Sequence, residues 1–164
     1  MAMKTLLRQP CIHPADHVHE LDAFMREVAQ VCNERGLRLT PLRRRVLHLV
    51  ATAERPVKAY DLMALLHDGV GAAAPPTVYR ALDFLLDNGF IHKLESINAF
   101  VSCHQPRKPH SAPFLICNRC GRAAEMEDEE VSRMLARQAL ALGFQPLAQT
   151  LEVHGRCARC EAKG

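Results

Sequence analysis

The stretch CNRCG at residues 117–121 is matched further along the chain by CARC at residues 157–160. In each, two residues separate two cysteines, a spacing that lets one tight turn direct both sulfurs at a single point. A pair of redox dithiols or a disulfide between the turns is the alternative, but the doubled motif in a chain expected to stay reduced favours metal. The sequence therefore predicts a closed, structural zinc site with the ligands Cys117, Cys120, Cys157 and Cys160.

The size and composition are those of an ordinary globular chain. Its 164 residues are 48% hydrophobic and carry a formal net charge of +3, which fits one domain or two small ones. No apolar run reaches the roughly 18 residues needed to cross a bilayer, and residues 1–10 lack the apolar region of a signal peptide. We therefore expect a cytoplasmic location, where cysteines stay reduced unless they bind metal.

The chain before the first CxxC motif is patterned as helices followed by a hairpin. Thr40 and Pro41 are a helix start signal, an N-cap followed by a proline at N1. Apolar spacing and breakers predict helices at residues 16–35, 41–53, 59–67 and 75–88, then strands at 90–95 and 99–103. The last of these helices is exposed at its N-terminal end, and a hairpin follows it. This order is typical of a winged helix-turn-helix.

The remainder of the chain predicts a second, smaller domain. Strands at 114–117, 122–126 and 146–154 and a helix at 129–142 form a β-α-β unit too small for a self-sufficient core, so zinc and a partner subunit should supply the rest. The predicted fold class is α+β, a winged-helix domain followed by a small α/β dimerisation domain. The predicted divisions are a flexible arm at 1–15, the winged-helix domain at 16–103, a hinge at 104–112 and the zinc-stapled dimerisation domain at 113–164.

Several separate motifs, in the right order, resemble those of the ferric uptake regulator family. They are LTP at 39–41 with Arg43 or Arg44 after it, AYDL at 59–62, PPTVYRALDFL at 75–85 and the doubled CxxC. Within the family, the chain is most similar to the zinc-sensing members. The resemblance implies a dimeric metalloregulator that, with zinc bound, holds double-stranded operator DNA and represses zinc-uptake genes.

The resemblance also implies a second, regulatory zinc site, and so at least two zinc ions per subunit. The matching positions are His92, Cys103, His110 and Glu125. Two imidazoles, a thiolate and a carboxylate suit tetrahedral zinc, whereas iron(II) or manganese favours more oxygen and nitrogen. Taken singly, each residue also has an ordinary interpretation, such as a surface histidine or a small buried cysteine. His104 is a possible substitute ligand beside Cys103.

The DNA contacts expected from the fold and the resemblance involve three helices. The fourth helix should enter the major groove by its N-terminal turn, with Arg80 reading guanine. Tyr60 resembles the family tyrosine that contacts a base or its phosphate, and the expected phosphate contacts are Thr77, Tyr79, Arg43 and Arg44. A solvated helix face for the arginines and a half-buried core position for Tyr60 are the alternatives.

Other functions remain open at this point. The nearest alternative is a family member that senses another metal or peroxide. An enzyme is disfavoured, because no His-x-Glu motif of a zinc deaminase precedes Cys117 and Gly121 argues against a thiol oxidoreductase. The role of two further groups is left open: His154 as a ligand of an accessory site, and the set Cys11, His13, His17 and His19.

Overall fold

The computed structural model describes residues 18–67, 74–108, 110, 112–126 and 129–162. Side chains are described from residue 21 onward, except that of Glu129. The predicted arm at 1–15 and the side chains of Cys11, His13, His17 and His19 therefore lie outside the described part. Among the described helices, none combines the length and apolar character needed to cross a bilayer.

Helices and a hairpin build the first half of the fold. Its elements are α1 (Val18–Glu34), α2 (Pro41–Thr52), α3 (Ala59–His67), α4 (Pro75–Asp87), β1 (Ile91–Leu94) and β2 (Ala99–Ser102). The predicted cap of α2 is confirmed, because the hydroxyl of Thr40 accepts a hydrogen bond from the backbone N–H of Arg43 at 3.4 Å. The antiparallel pair β1–β2, which we call the wing, turns at the predicted place through Asn98, whose φ is +48°.

The main hydrophobic core lies between the four helices and the wing. On α4, the apolar residues at helical spacing, Val78, Ala81, Leu82 and Leu85, are all buried. On α2, Val46, Leu47 and Val50 are buried, and Leu42 and Leu49 are partly buried. The reason is that α2 contacts both α4 and β2, so more than one face of this helix is covered.

The second half contains a three-stranded sheet and two helices. Its elements are β3 (Phe114–Cys117), β4 (Ala123–Glu125), α5 (Glu129–Ala141), β5 (Glu152–Gly155) and α6 (Ala158–Glu161). The order is β4-β3-β5, with β3 antiparallel to β4 and parallel to β5. The prediction of a strand at 146–154 was wrong in its start, because β3 offers only four residues to pair with. The short α6 was not predicted.

The wing packs against the second sheet. Leu94 of β1 is fully buried in a cluster with Phe114 and Ile116 of β3, so apolar contact joins the two halves of the chain. Arg107, in the predicted hinge, forms ion pairs with Glu27 at 3.0 Å and Glu34 at 3.1 Å on α1. By contrast, large apolar side chains on and after α5 are exposed in the single chain: Met134, Leu135, Leu140, Leu142 and Phe144.

Candidate metal centres and nucleic-acid interface

The four cysteines of the doubled motif meet at the edge of the second sheet. Cys117 ends β3, and the turn after it is closed by Gly121, which has a φ of +70° and donates its N–H to the carbonyl of Cys117 at 2.8 Å. The four sulfurs lie within 4.8 Å of one another, and those of Cys120 and Cys157 are 3.9 Å apart. Tetrahedral zinc with bonds of about 2.3 Å separates its sulfurs by about 3.8 Å, so this cluster fits the ion.

Hydrogen bonds and burial act in opposite directions on these thiols. Backbone N–H groups of Cys120, Cys157 and Arg119 donate to the sulfur of Cys117 and lower its pKa to about 6. Burial, together with the neighbouring thiols, raises the pKa of Cys160 to about 12. The sulfur of Cys117 is therefore mostly a thiolate at neutral pH, whereas four neighbouring thiolates require a cation among them.

A second cluster joins the wing to the second sheet. His92 lies on β1, Cys103 follows β2, His110 lies in the predicted hinge and Glu125 ends β4, and one ligand atom from each falls within 4.8 Å of the others. Cys103 Sγ lies 3.8 Å from His110 Nε2, and His92 Nε2 lies 3.8 Å from Glu125 Oε1. Ligands bound to zinc at about 2.0 to 2.3 Å are separated by similar distances.

The surroundings of this second cluster are those of a cation site. The carboxylate of Glu125 is only 3% exposed, and an uncompensated buried charge is costly. Its described contacts are the imidazoles of His92 and His110 and the N–H of His104. Among the described residues, His92 Nε2 is buried without a hydrogen-bond partner. An acceptor nitrogen and a carboxylate buried together fit a divalent metal.

Protonation at this cluster follows from burial. Desolvation lowers the pKa of His92, so its imidazole is neutral near pH 7. Desolvation and the nearby Glu125 carboxylate raise the pKa of Cys103 to about 12. Both ring nitrogens of His110 contact oxygen atoms: Nδ1 lies 2.8 Å from the carbonyl of Lys108, and Nε2 lies 2.5 Å from Glu125 Oε1. The contact with the carbonyl places a proton on Nδ1, so a metal bound at Nε2 would replace the hydrogen bond between Nε2 and Glu125.

Two histidines left open by the sequence lie outside both clusters. His104 is not among the residues brought together with Cys103, and its backbone N–H donates to Glu125 instead. His154 contacts Ser96 through Nε2 and Asn118 through Nδ1. A contact between the tip of the wing and β5, which involves this histidine, was not predicted from the sequence.

The residues predicted to contact DNA differ in their exposure. Tyr60 on α3 is 77% exposed, and Thr77, Tyr79 and Arg80 are exposed in the first two turns of α4. Arg44 is also exposed on α2. Arg43 is half-buried: it donates to the carbonyl of Arg38 at 2.6 Å, and its guanidinium lies 3.6 Å from the centre of the Phe84 ring. The arginines of this flank are therefore not equivalent.

The known proteins that are similar to this chain indicate one family. Residues 34–154 match the ferric uptake regulator family. The zinc uptake regulation protein of Escherichia coli (strain K12) is 42% identical over 138 residues, which cover 84% of this chain and 81% of that protein.

Solved structures agree with this match. The crystal structure of holo XcZur is 60% identical, with a TM-score of 0.81 over 86% of this chain and 99% of that chain. The apo form of XcZur covers similar shares, 88% and 99%, with a TM-score of only 0.53. A zinc uptake regulator complexed with zinc and DNA is 40% identical, with a TM-score of 0.83 over 87% of this chain and 96% of that chain. With the family match extending over most of its length, the chain belongs to the ferric uptake regulator family.

Proposed function

We propose that this chain is a zinc-responsive transcriptional repressor of zinc-uptake genes, in which zinc at the second cluster locks a dimer that binds operator DNA. The observation that carries the proposal is the convergence of His92, Cys103, His110 and Glu125 from the wing, the predicted hinge and the second sheet. A thiolate and two imidazoles in this set favour zinc over iron(II) or manganese. The arrangement of the chain also resembles the holo form of XcZur more closely than the apo form.

The ligand residues connect metal binding to the relative position of the two halves. Zinc would supply a divalent charge that the buried Glu125 carboxylate and the Cys103 thiolate compensate. His92 attaches β1, and with it the wing, to Glu125 at the end of β4. Because the ligands gather only when the wing rests on the second sheet, metal favours the closed arrangement. DNA affinity then rises with zinc by the factor by which zinc affinity rises with DNA.

The second half of the chain serves as the dimerisation domain in this proposal. The cluster of Cys117, Cys120, Cys157 and Cys160 is its structural zinc site, with four protein ligands and no open position. The apolar side chains exposed on and after α5 are covered by the second subunit, since a soluble monomer rarely exposes such a patch. A cytoplasmic location and the absence of enzyme activity belong to the same proposal.

The DNA contacts are assigned to α2, α3 and α4. The N-terminal turns of α4 enter the major groove, where Arg80 reads guanine and Thr77 and Tyr79 contact phosphate. Tyr60 contacts a base or its phosphate from α3. The exposed Arg44 follows the phosphate backbone. Arg43 is assigned to the same flank, although its contacts with Arg38 and Phe84 give it a positioning role as well.

The test of this function is zinc stoichiometry measured beside DNA affinity. The purified protein is dialysed against a moderate chelator, and its binding to duplex DNA from the control region of a zinc-uptake gene is followed. We expect two or more zinc ions per subunit to fall to one, with DNA affinity lost and the dimer intact. One zinc throughout, with DNA binding indifferent to zinc, would contradict the proposal. Restoration by iron(II) or manganese but not by zinc would instead indicate another sensor of the family.

Zinc binding at the second cluster is expected to release protons. Because the pKa of Cys103 is raised to about 12, its thiol is protonated at neutral pH and must lose about one proton to bind metal. His92, with its lowered pKa, gives up little. DNA affinity at fixed free zinc should therefore be weaker at pH 6 than at pH 8, and calorimetry in buffers of different ionisation enthalpy should count the proton. A flat pH profile would mean that the ligands are wrong.

A further inference from the structure

The tip of the wing makes its own polar contact with the second sheet, separate from the metal cluster. The carboxylate of Glu152, the first residue of β5, accepts hydrogen bonds from the backbone N–H of Glu95 at 2.6 Å and of Ser96 at 3.1 Å. It also accepts one from the hydroxyl of Ser96. His154 Nε2 lies 2.9 Å from that hydroxyl. We call the group Ser96, Glu152 and His154 the wing-tip clasp.

The geometry of the turn explains why a carboxylate fits here. Asn98, with its φ of +48°, bends the chain tightly between β1 and β2, which leaves N–H groups at the start of the turn without strand partners. The Glu152 carboxylate receives two of them. Partial burial opposes ionisation, but the hydrogen bonds from Ser96 and Glu95 outweigh it and keep the pKa of Glu152 below its ordinary value. The acceptor is therefore charged at neutral pH, when such bonds are strongest.

His154 is better explained by this clasp than by an accessory metal site. Its Nε2 faces Ser96, and its Nδ1 lies 3.0 Å from the side-chain oxygen of Asn118. Both ring nitrogens are thus engaged with protein groups. Among the described residues, groups of three or more histidine, cysteine or acidic side chains with metal spacing occur only at the two clusters above.

The clasp and the metal cluster hold the wing on opposite sides of Leu94. His92 lies on β1, and Ser96 lies in the turn, two residues beyond the end of that strand. Between them, Leu94 is buried against Phe114 and Ile116. A wing held only by the metal cluster and by the apolar contact of Leu94 can still pivot. The clasp adds an attachment beyond Leu94 and so fixes the angle of the wing against the second sheet.

We propose that Glu152, acting through Ser96 and His154, is a positioning residue that sets the angle of the wing, so that metal at the second cluster aligns the helices that bind DNA. The inference rests on the proposed function and deepens it. Glu152 belongs to neither metal cluster. By favouring the closed arrangement, it raises the affinity of the second cluster for zinc and the affinity of the dimer for DNA together.

The experiment compares Glu152→Gln with Glu95→Gln in the full chain. Glu95 is a matched control: the same change is made one residue from Ser96, at a carboxylate whose described partner is Lys93 on the wing itself. We expect Glu152→Gln to lower zinc affinity at the second cluster and DNA affinity at saturating zinc, each about tenfold. Glu95→Gln should change neither, and the structural zinc and the dimer should persist in both variants.

Zinc affinity separates positioning from a purely local role. If the clasp only stabilised the wing, Glu152→Gln would weaken DNA binding but leave the zinc affinity of the second cluster unchanged, and the inference would be overturned. Unchanged zinc and DNA affinity would overturn it too, while a zinc-responsive parent protein would leave the proposed function standing. A parent protein indifferent to zinc would remove both. Should Glu152→Gln fail to fold, Ser96→Ala tests the same contact from the wing: it removes the hydroxyl and keeps both backbone N–H donors, so zinc affinity and DNA affinity should fall together, each by less than about tenfold.

Discussion

Replacing Cys117 with serine is expected to unfold the second half of the chain and to convert the dimer to a monomer. Cys117 ends the central strand β3 and contributes one of the four sulfurs of the structural cluster. Structural zinc in small domains contributes on the order of 10 kcal/mol of apparent binding free energy. The apolar cluster of the second sheet is small, because it consists of Phe114 and Ile116 with Leu94 of the wing, and it cannot replace that contribution.

The first half should survive this substitution, because the main core lies within it. Circular dichroism is expected to retain the helical signal of α1 to α4, while light scattering reports the mass of a monomer and metal analysis reports lost structural zinc. Cys103→Ser serves as the matched control, since it is the same change in the other cluster. A folded, dimeric and zinc-responsive Cys117→Ser protein would reverse the assignment of the two sites.

Replacing Cys103 with serine should leave a folded dimer that no longer responds to zinc. The substitution removes the only sulfur of the second cluster and does not touch the structural site. One zinc per subunit should remain. The rise in DNA affinity on adding zinc, roughly 5- to 150-fold for a typical allosteric coupling, should disappear. Fluorescence anisotropy of labelled DNA, titrated with zinc, measures this rise directly.

His104→Ala provides the control for this second prediction. His104 is adjacent to Cys103 but outside the cluster, and its bond to Glu125 uses the backbone N–H, which alanine retains. Zinc should therefore still increase DNA affinity in His104→Ala. Loss of the response in His104→Ala, or its persistence in Cys103→Ser, would show that a different set of residues binds the regulatory metal.

Local signals in the sequence were sufficient for most of the elements. Thr40 and Pro41 start α2 where predicted, and the predicted limits of α3 coincide with those observed. The apolar stripe of α4 and the turn after Cys117 also follow from short-range pattern. Such features depend on the preferences of neighbouring residues, which the sequence displays directly. The two metal clusters were predicted as groups, the first from the spacing of its cysteines and the second only through a family resemblance.

What the sequence by itself determined is therefore the order of elements, the main core and the chemistry available for binding zinc. The tertiary structure alone decided which parts meet. It set the extent of β5, which pairs with the four residues of β3, and it placed the guanidinium of Arg43 over the ring of Phe84. It also brought Ser96 to Glu152 in the clasp. Glu152 is 56 residues from Ser96, and the local conformational preferences of the two residues do not indicate that they are in contact. Contacts of this kind arise only when burial of Leu94 against Phe114 and Ile116 brings the wing onto the second sheet.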